Sequence, residues 1–121
     1  MDIKKISVNG KDIAIVNSDE VCISDGQSVL DVIMSINYET GSHAIAINKE
    51  AIHENFFVLS TGVAGEILQK IVNYQFKLAV IGDFSGYTSK PLKDFIYESN
   101  RGSDIFFIST EEDAVEKLSR A

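Results

Sequence analysis

The sequence predicts an α/β fold: a mixed sheet of four or five strands, begun by an antiparallel hairpin and continued by parallel strands, with four helices mainly on one face. Three observations carry that expectation. The runs Ala44–Ile47, Leu78–Ile81 and Ile105–Ile108 are continuously apolar, as strands covered on both faces must be. Amphipathic segments of helical period separate them, so the strands are joined by crossovers. Near the start, Asn9-Gly10 sits between two β-prone stretches, and that pair suits a two-residue turn in which both positions need positive φ.

Taken in order, Ile3, Ile6 and Val8 form the first strand and Ile13–Val16 the second. Val21–Ile23 is a short extended piece. Ser24 with Gln27 has the spacing of a capping box for a helix carrying Val29, Leu30, Val32, Ile33, Met34 and Ile36, and Gly41 ends it. After Ala44–Ile47 the stretch Asn48–Asn55 is polar and loop-like, until Phe56-Phe57 returns the chain to the core. The central unit is Glu54–Asp83. There Val63, Ala64, Ile67, Leu68, Ile71 and Val72 make an apolar stripe of helical period, with Glu66, Gln69, Lys70 and Asn73 opposite. Glu66 and Lys70 are spaced as an i,i+4 ion pair. Ser60 and Thr61 are suited to cap this helix, which starts near Gly62. Beyond Leu78–Ile81, Ser89 caps a helix with Pro91 in its first turn and Gly102 at its end. Thr110 caps a final helix whose Glu111-Glu112-Asp113 favours the positive end of the dipole. The element order is β-β-α-β-α-β-α-β-α, read as a single domain over residues 1–121.

The totals exclude several classes. The chain has 45% hydrophobic and 24% charged residues, the balance of a globular domain rather than a disordered one. With 18 acidic against 11 basic residues and a net charge of −7, the surface repels phosphate backbones, so nucleic acid is not expected as a partner. No apolar run reaches the roughly 18 residues of a membrane span, and MDIKKISVNG lacks the apolar core of a signal peptide. The lone Cys22 fits a reducing compartment. The expected location is the cytoplasm.

Two groups of residues can carry chemistry. Ser60, Thr61 and Gly62 lie at a helix N-terminus, where free N–H groups and the dipole favour an anion or a phosphorylated hydroxyl. Asp83, Ser85 and Tyr87 follow a buried strand at its carboxyl end, the edge at which α/β sheets usually bind ligands. Each group also has an ordinary structural use, as a helix cap and as a turn. His43 and His53 have no metal-ligand spacing, Cys22 reads as an inert thiol, and GVAGE lacks the lysine of a phosphate-binding loop. Lys90, Lys93 and Arg101 gather basic charge on one helix, either as a solvated face or for an acidic partner. No base is placed to activate a nucleophile, so an enzyme is the least supported class. Neither a cofactor nor a metal is expected.

The block FFVLSTGVAGEILQKIVNYQFKLAVIGDFSGYTSKPLKDFIYESN resembles a bacterial family, the domain of unknown function 4180 family, over essentially the whole chain. That resemblance implies no activity. At a greater distance, the order of elements and the serine turn resemble the STAS domain of anti-sigma-factor antagonists, in which an Asp-Ser-Ser-Gly turn enters a helix and its first serine is phosphorylated by a partner kinase. The matching stretch here is Leu59-Ser60-Thr61-Gly62-Val63-Ala64, with Leu59 in place of the acidic residue. The resemblance implies a STAS-like fold and a small regulatory module that binds another protein through Ser60, Thr61 and Gly62. The alternative is a small-molecule or nucleotide-binding domain using the same turn and the Asp83–Tyr87 loop. The hairpin also leaves an open sheet edge, which admits a homo-oligomer.

Overall fold

The computed structural model describes residues Met1–Ala121. Strands β1 (Asp2–Val8) and β2 (Lys11–Asn17) are followed by α1 (Gly26–Thr40), β3 (Ala44–Asn48), α2 (Val63–Asn73), β4 (Lys77–Ile81), α3 (Lys90–Arg101), β5 (Ile105–Ile108) and α4 (Glu111–Arg120). The five strands lie side by side in sequence order. β1 and β2 pair antiparallel from Val8↔Lys11 to Asp2↔Asn17, closed by Asn9 and Gly10 at φ 53° and 78°. All later pairings are parallel. This is the mixed sheet expected from the apolar runs and the Asn-Gly turn.

Alternation along the strands divides the core in two. Ala14, Val16, Ile45, Ile47, Leu78, Val80, Ile105 and Phe107 face Val29, Ile33 and Ile36 of α1, Ala64, Ile67 and Ile71 of α2, and Leu92 of α3. Ile13, Ile15, Ala44, Ala46, Ala79 and Phe106 face Ala114 and Leu118 of α4. The division follows from connectivity. Each parallel strand is laid beside the one before it, and right-handed crossovers that advance in one direction put every connecting helix on the same face. α4 follows the last strand and is not a crossover, so it folds under the opposite face, where three alanines let it approach closely. Each Ile or Leu fully buried in these layers contributes about 1.5–3 kcal/mol.

Several local expectations are met and several are corrected. Gly41 ends α1 in the left-handed region at φ 74°, and Ser89 and Thr110 cap α3 and α4. The capping box of α1 is not Ser24 with Gln27. It lies one residue later: Asp25 Oδ1 accepts from Ser28 N at 2.8 Å and Ser28 Oγ accepts from Asp25 N at 3.0 Å. Gly26 is the buried first residue of α1, where an added Cβ would stand 2.7 Å from Glu66 Oε1. Glu66 does not pair with Lys70; its Oε1 accepts from Gly26 N at 2.8 Å. Val72 leaves the apolar stripe and is 45% exposed.

The two sheet edges are finished differently. At β5, Asn100 Oδ1 accepts from Phe107 N at 2.7 Å and Asn100 Nδ2 donates to Phe107 O at 3.2 Å. One side-chain amide thus satisfies both outward groups of that residue, as a neighbouring strand would. At the other edge β1 carries the exposed Lys4 and Lys5.

Candidate functional site

The segment between β3 and α2 contains no strand. It is built from three single turns of 3-10 helix, Lys49–Ala51, Glu54–Phe57 and Leu59–Thr61. Ala51, Ile52, Phe56 and Phe57 are buried, which explains a fold-back with no regular period. The apolar residues anchor turns, and Ile52 bridges to Ile23. Ser60, Thr61 and Gly62 are all exposed, and Val58 beside them is 51% exposed.

The expected cap is corrected here too. The N-cap of α2 is Gly62 at φ 79°, and no side chain caps the helix from that position. Thr61 is drawn the other way: its hydroxyl donates to Asn55 O at 2.7 Å or Val58 O at 2.8 Å and closes the preceding turns. It reaches Val63 N only at 3.3 Å. Gly62 at positive φ turns the chain between the last 3-10 turn and the helix, a conformation glycine adopts without steric cost. Of the three residues, Thr61 and Gly62 shape the turn, and Ser60 is exposed beside them.

The Asp83–Tyr87 loop is not a single cluster. Asp83 Oδ1 accepts from Ser85 N at 2.9 Å and Ser85 Oγ at 2.6 Å, an Asx turn. Those bonds hold the Asp83 carboxyl below its ordinary range, with Lys49 adding a smaller pull. Tyr87 makes its bonds outside that turn. Its hydroxyl donates to Glu54, with the two carboxylate oxygens at 3.0 and 3.1 Å. Its ring stacks on Phe57, centroids 4.9 Å apart and planes at 17°. Lys49 Nζ sits 5.0 Å from the Tyr87 ring centre and 5.3 Å from that of Phe57, and pairs with Glu54 at 3.2 Å. The Tyr87 phenol raises the Lys49 pKa most, with Glu54 adding to it and partial burial opposing. Burial raises the Tyr87 pKa, Glu54 reinforces that, and Lys49 opposes it. Gly82 allows the approach, since a Cβ there would lie 2.8 Å from Lys49 Cβ.

Sequence reasoning missed Lys49, Glu54 and Phe57. Lys49 and Tyr87 are 38 positions apart in the chain, and the only local hint was Gly82 directly after a buried strand.

The remaining candidates separate. His43 lies against Phe76 at 4.9 Å, while His53 Nδ1 accepts from Asn55 N at 3.0 Å. The partly buried Cys22 has its thiol pKa raised by desolvation, which makes the thiol a poor nucleophile. On α3, Lys90 pairs with Asp94 at 2.7 Å and Arg101 lies over the Tyr97 ring at 5.5 Å, so two of its three basic residues have partners on their own helix. No three His, Cys, Asp or Glu side chains converge as a metal ion requires. The largest cavity, about 670 Å³, lies beside β5 and α4 and includes Phe106, Ile108, Asp113 and Lys117. Neither it nor the three smaller ones is lined by Ser60, Thr61, Gly62, Asp83, Ser85 or Tyr87. No helix is long and apolar enough to cross a membrane.

Comparison with curated proteins gives no match. The family model described as domain of unknown function (DUF4180) matches residues 8–118, from the end of β1 into α4, and the chain belongs to that family.

Proposed function

We propose that this chain is a small regulatory module that docks another protein through the exposed turn at Ser60. The observation that carries the reading is the unfinished start of α2. Gly62 occupies the N-cap without a capping side chain, the Thr61 hydroxyl donates behind it and accepts from the helix only Val63 N, at 3.3 Å, and Ser60 stands exposed. Open first-turn N–H groups favour an acceptor or an anion brought by a partner, or a phosphate placed on Ser60. Val58 supplies apolar surface next to the turn. The resemblance to anti-sigma-factor antagonists, whose corresponding serine is phosphorylated, supports the same assignment.

The alternative, a small-molecule or nucleotide site, has less behind it. Ligand sites are concave, and no cavity lies at the turn or at the Asp83–Tyr87 loop. The reading is non-catalytic, and the net charge of −7 favours a protein over nucleic acid as partner. The cytoplasm is the proposed location.

The test begins with proteins that co-purify with the tagged native chain. Ser60→Asp should change affinity for the recovered partner by about tenfold or more, a difference of ~1.4 kcal/mol, while the melting temperature stays where it is. Equal affinity for both forms would defeat the proposal. A thermal-shift screen of nucleotides and organic anions tests the alternative, which a hit lost in Asp83→Ala would promote.

A further inference from the structure

The geometry points to a latch: Lys49, Glu54, Phe57 and Tyr87 fasten residues 54–62, a unit able to open on its own, onto the loop that follows β4, and thereby set the position of the Ser60 turn. Tyr87, from one group singled out in the sequence, and the Ser60 turn, from the other, are then coupled parts of one device. This concerns the regulation of the proposed docking turn and rests on that reading for its use, although the mechanical coupling can be measured without any partner.

The argument starts from backbone bonding. Outside the regular elements, Phe56 N donates to His53 O, Val58 N to Asn55 O, Thr61 N to Val58 O and Gly62 N to Leu59 O. The Thr61 hydroxyl adds Asn55 O and Val58 O as acceptors. Every one of these bonds stays within residues 53–62. By contrast, the preceding stretch is tied into the molecule by Cys22 N and Ile23 N to Ala51 O and by His53 N to Ile23 O. The segment after His53 is therefore joined by hydrogen bonds to α2 only at its far end, where Gly62 O accepts from Glu66 N and Thr61 Oγ1 from Val63 N, and is otherwise held by side chains. Phe56 and Phe57 are buried. Tyr87 stacks on Phe57 and donates to Glu54, and Lys49 bridges both rings and the carboxylate.

Single 3-10 turns have poor hydrogen-bond geometry, and units with few bonds to their surroundings open sub-globally, below the cost of unfolding the whole domain. Glu54 remains 67% exposed, so the polar half of the latch is open to competition from solution while its aromatic half is sheltered. Loss of the polar half releases the turn without disturbing the sheet, because no strand bond runs through it.

The experiment is amide hydrogen exchange on the isolated full chain, comparing wild type with Tyr87→Phe and Glu54→Gln, and with Ser85→Ala as a control outside the latch. Tyr87→Phe keeps the stacked ring and deletes the hydroxyl. Both latch variants should exchange roughly five- to tenfold faster at Val58, Thr61 and Gly62, the factor one net hydrogen bond of ordinary strength supplies. The amides of β3, β4 and α2 beyond its first turn should keep wild-type rates, and so should the whole control. Unchanged exchange at Val58, Thr61 and Gly62 in both latch variants overturns the coupling. So does an increase spread evenly over the molecule, which would mean global destabilisation. Faster exchange with no effect of Ser60→Asp on partner binding would leave the latch standing and remove its proposed use.

Discussion

α1 and α2 begin side by side at the carboxyl rim of the sheet, yet their first turns are finished in opposite ways. α1 has a reciprocal box between Asp25 and Ser28, and a carboxylate from α2 on the N–H of its first residue. α2 has a left-handed glycine, no side-chain cap and one long contact from Thr61. Even its own Glu66, well placed to serve its first turn, serves α1. A start sealed on every side contributes to stability and offers nothing to a second molecule. An unsealed one forgoes that stabilisation, typically about 1 kcal/mol per cap, and keeps donors available. The contrast puts the stabilising helix start at α1 and, on the docking reading proposed above, the start that a second molecule can use at α2.

The sharpest way to break the contrast is to unseal α1. Glu66→Ala leaves Gly26 N, packed against α2, without its partner. The expected loss is about 2 kcal/mol, the range of a hydrogen bond to a charged group, read from thermal or denaturant unfolding, with Glu66→Gln recovering part of it because an acceptor remains. A loss as small as that of an exposed surface substitution would mean that water replaces the carboxylate and that α1 is not sealed from α2. Next in size is Gly62→Ala. A side chain at φ 79° costs about 1 kcal/mol, and the strain should appear at the start of α2 while α1 is unaffected. An unchanged melting temperature would show that the turn relaxes freely to negative φ.

The smallest effect is electrostatic. The bonds from Ser28 hold the Asp25 carboxyl below its ordinary pKa, and those from Ser85 do the same for Asp83. Both therefore stabilise the folded state above the unfolded carboxylate pKa, and that contribution fades as the pH falls through the native values. Asp25→Asn should flatten the acid limb of the stability profile, while Ser60→Ala should leave it alone. At the alkaline end Lys49 and Tyr87 both have raised values. Their contribution is complete below the unfolded pKa values and is lost as pH rises through the folded ones, so Tyr87→Phe should lessen the alkaline decline. If it does not, the Tyr87 phenol holds its proton no more tightly in the folded state than in the unfolded one.

Local pattern made the framework readable. Asn9-Gly10 requires no knowledge of the rest of the chain, and Ala44–Ile47, Leu78–Ile81 and Ile105–Ile108 announce burial by having no polar side. Gly41, Ser89 and Thr110 were legible for the same reason, since a cap acts within four residues of itself. Ser24 and Ser60 misled because several hydroxyls stand near each helix start, and the choice among them depends on what packs there. Gly26 must be first in α1 because Glu66 leaves no room for a Cβ. Nothing in the spacing of Glu66 and Lys70 reveals that the carboxylate looks across to another helix.

From its residues alone, this chain determined how many strands and helices it makes, their order and the parallel run after the hairpin, because periodicity, turn chemistry and the handedness of crossovers act over short stretches or through chain direction. Tertiary structure alone decided that α4 takes the opposite face, that Asn100 closes the β5 edge, and that Tyr87 meets Lys49 and Glu54. Each of those depends on groups distant in sequence being brought together by burial of the core, and side-chain partners chosen that way leave no period in the chain to be read.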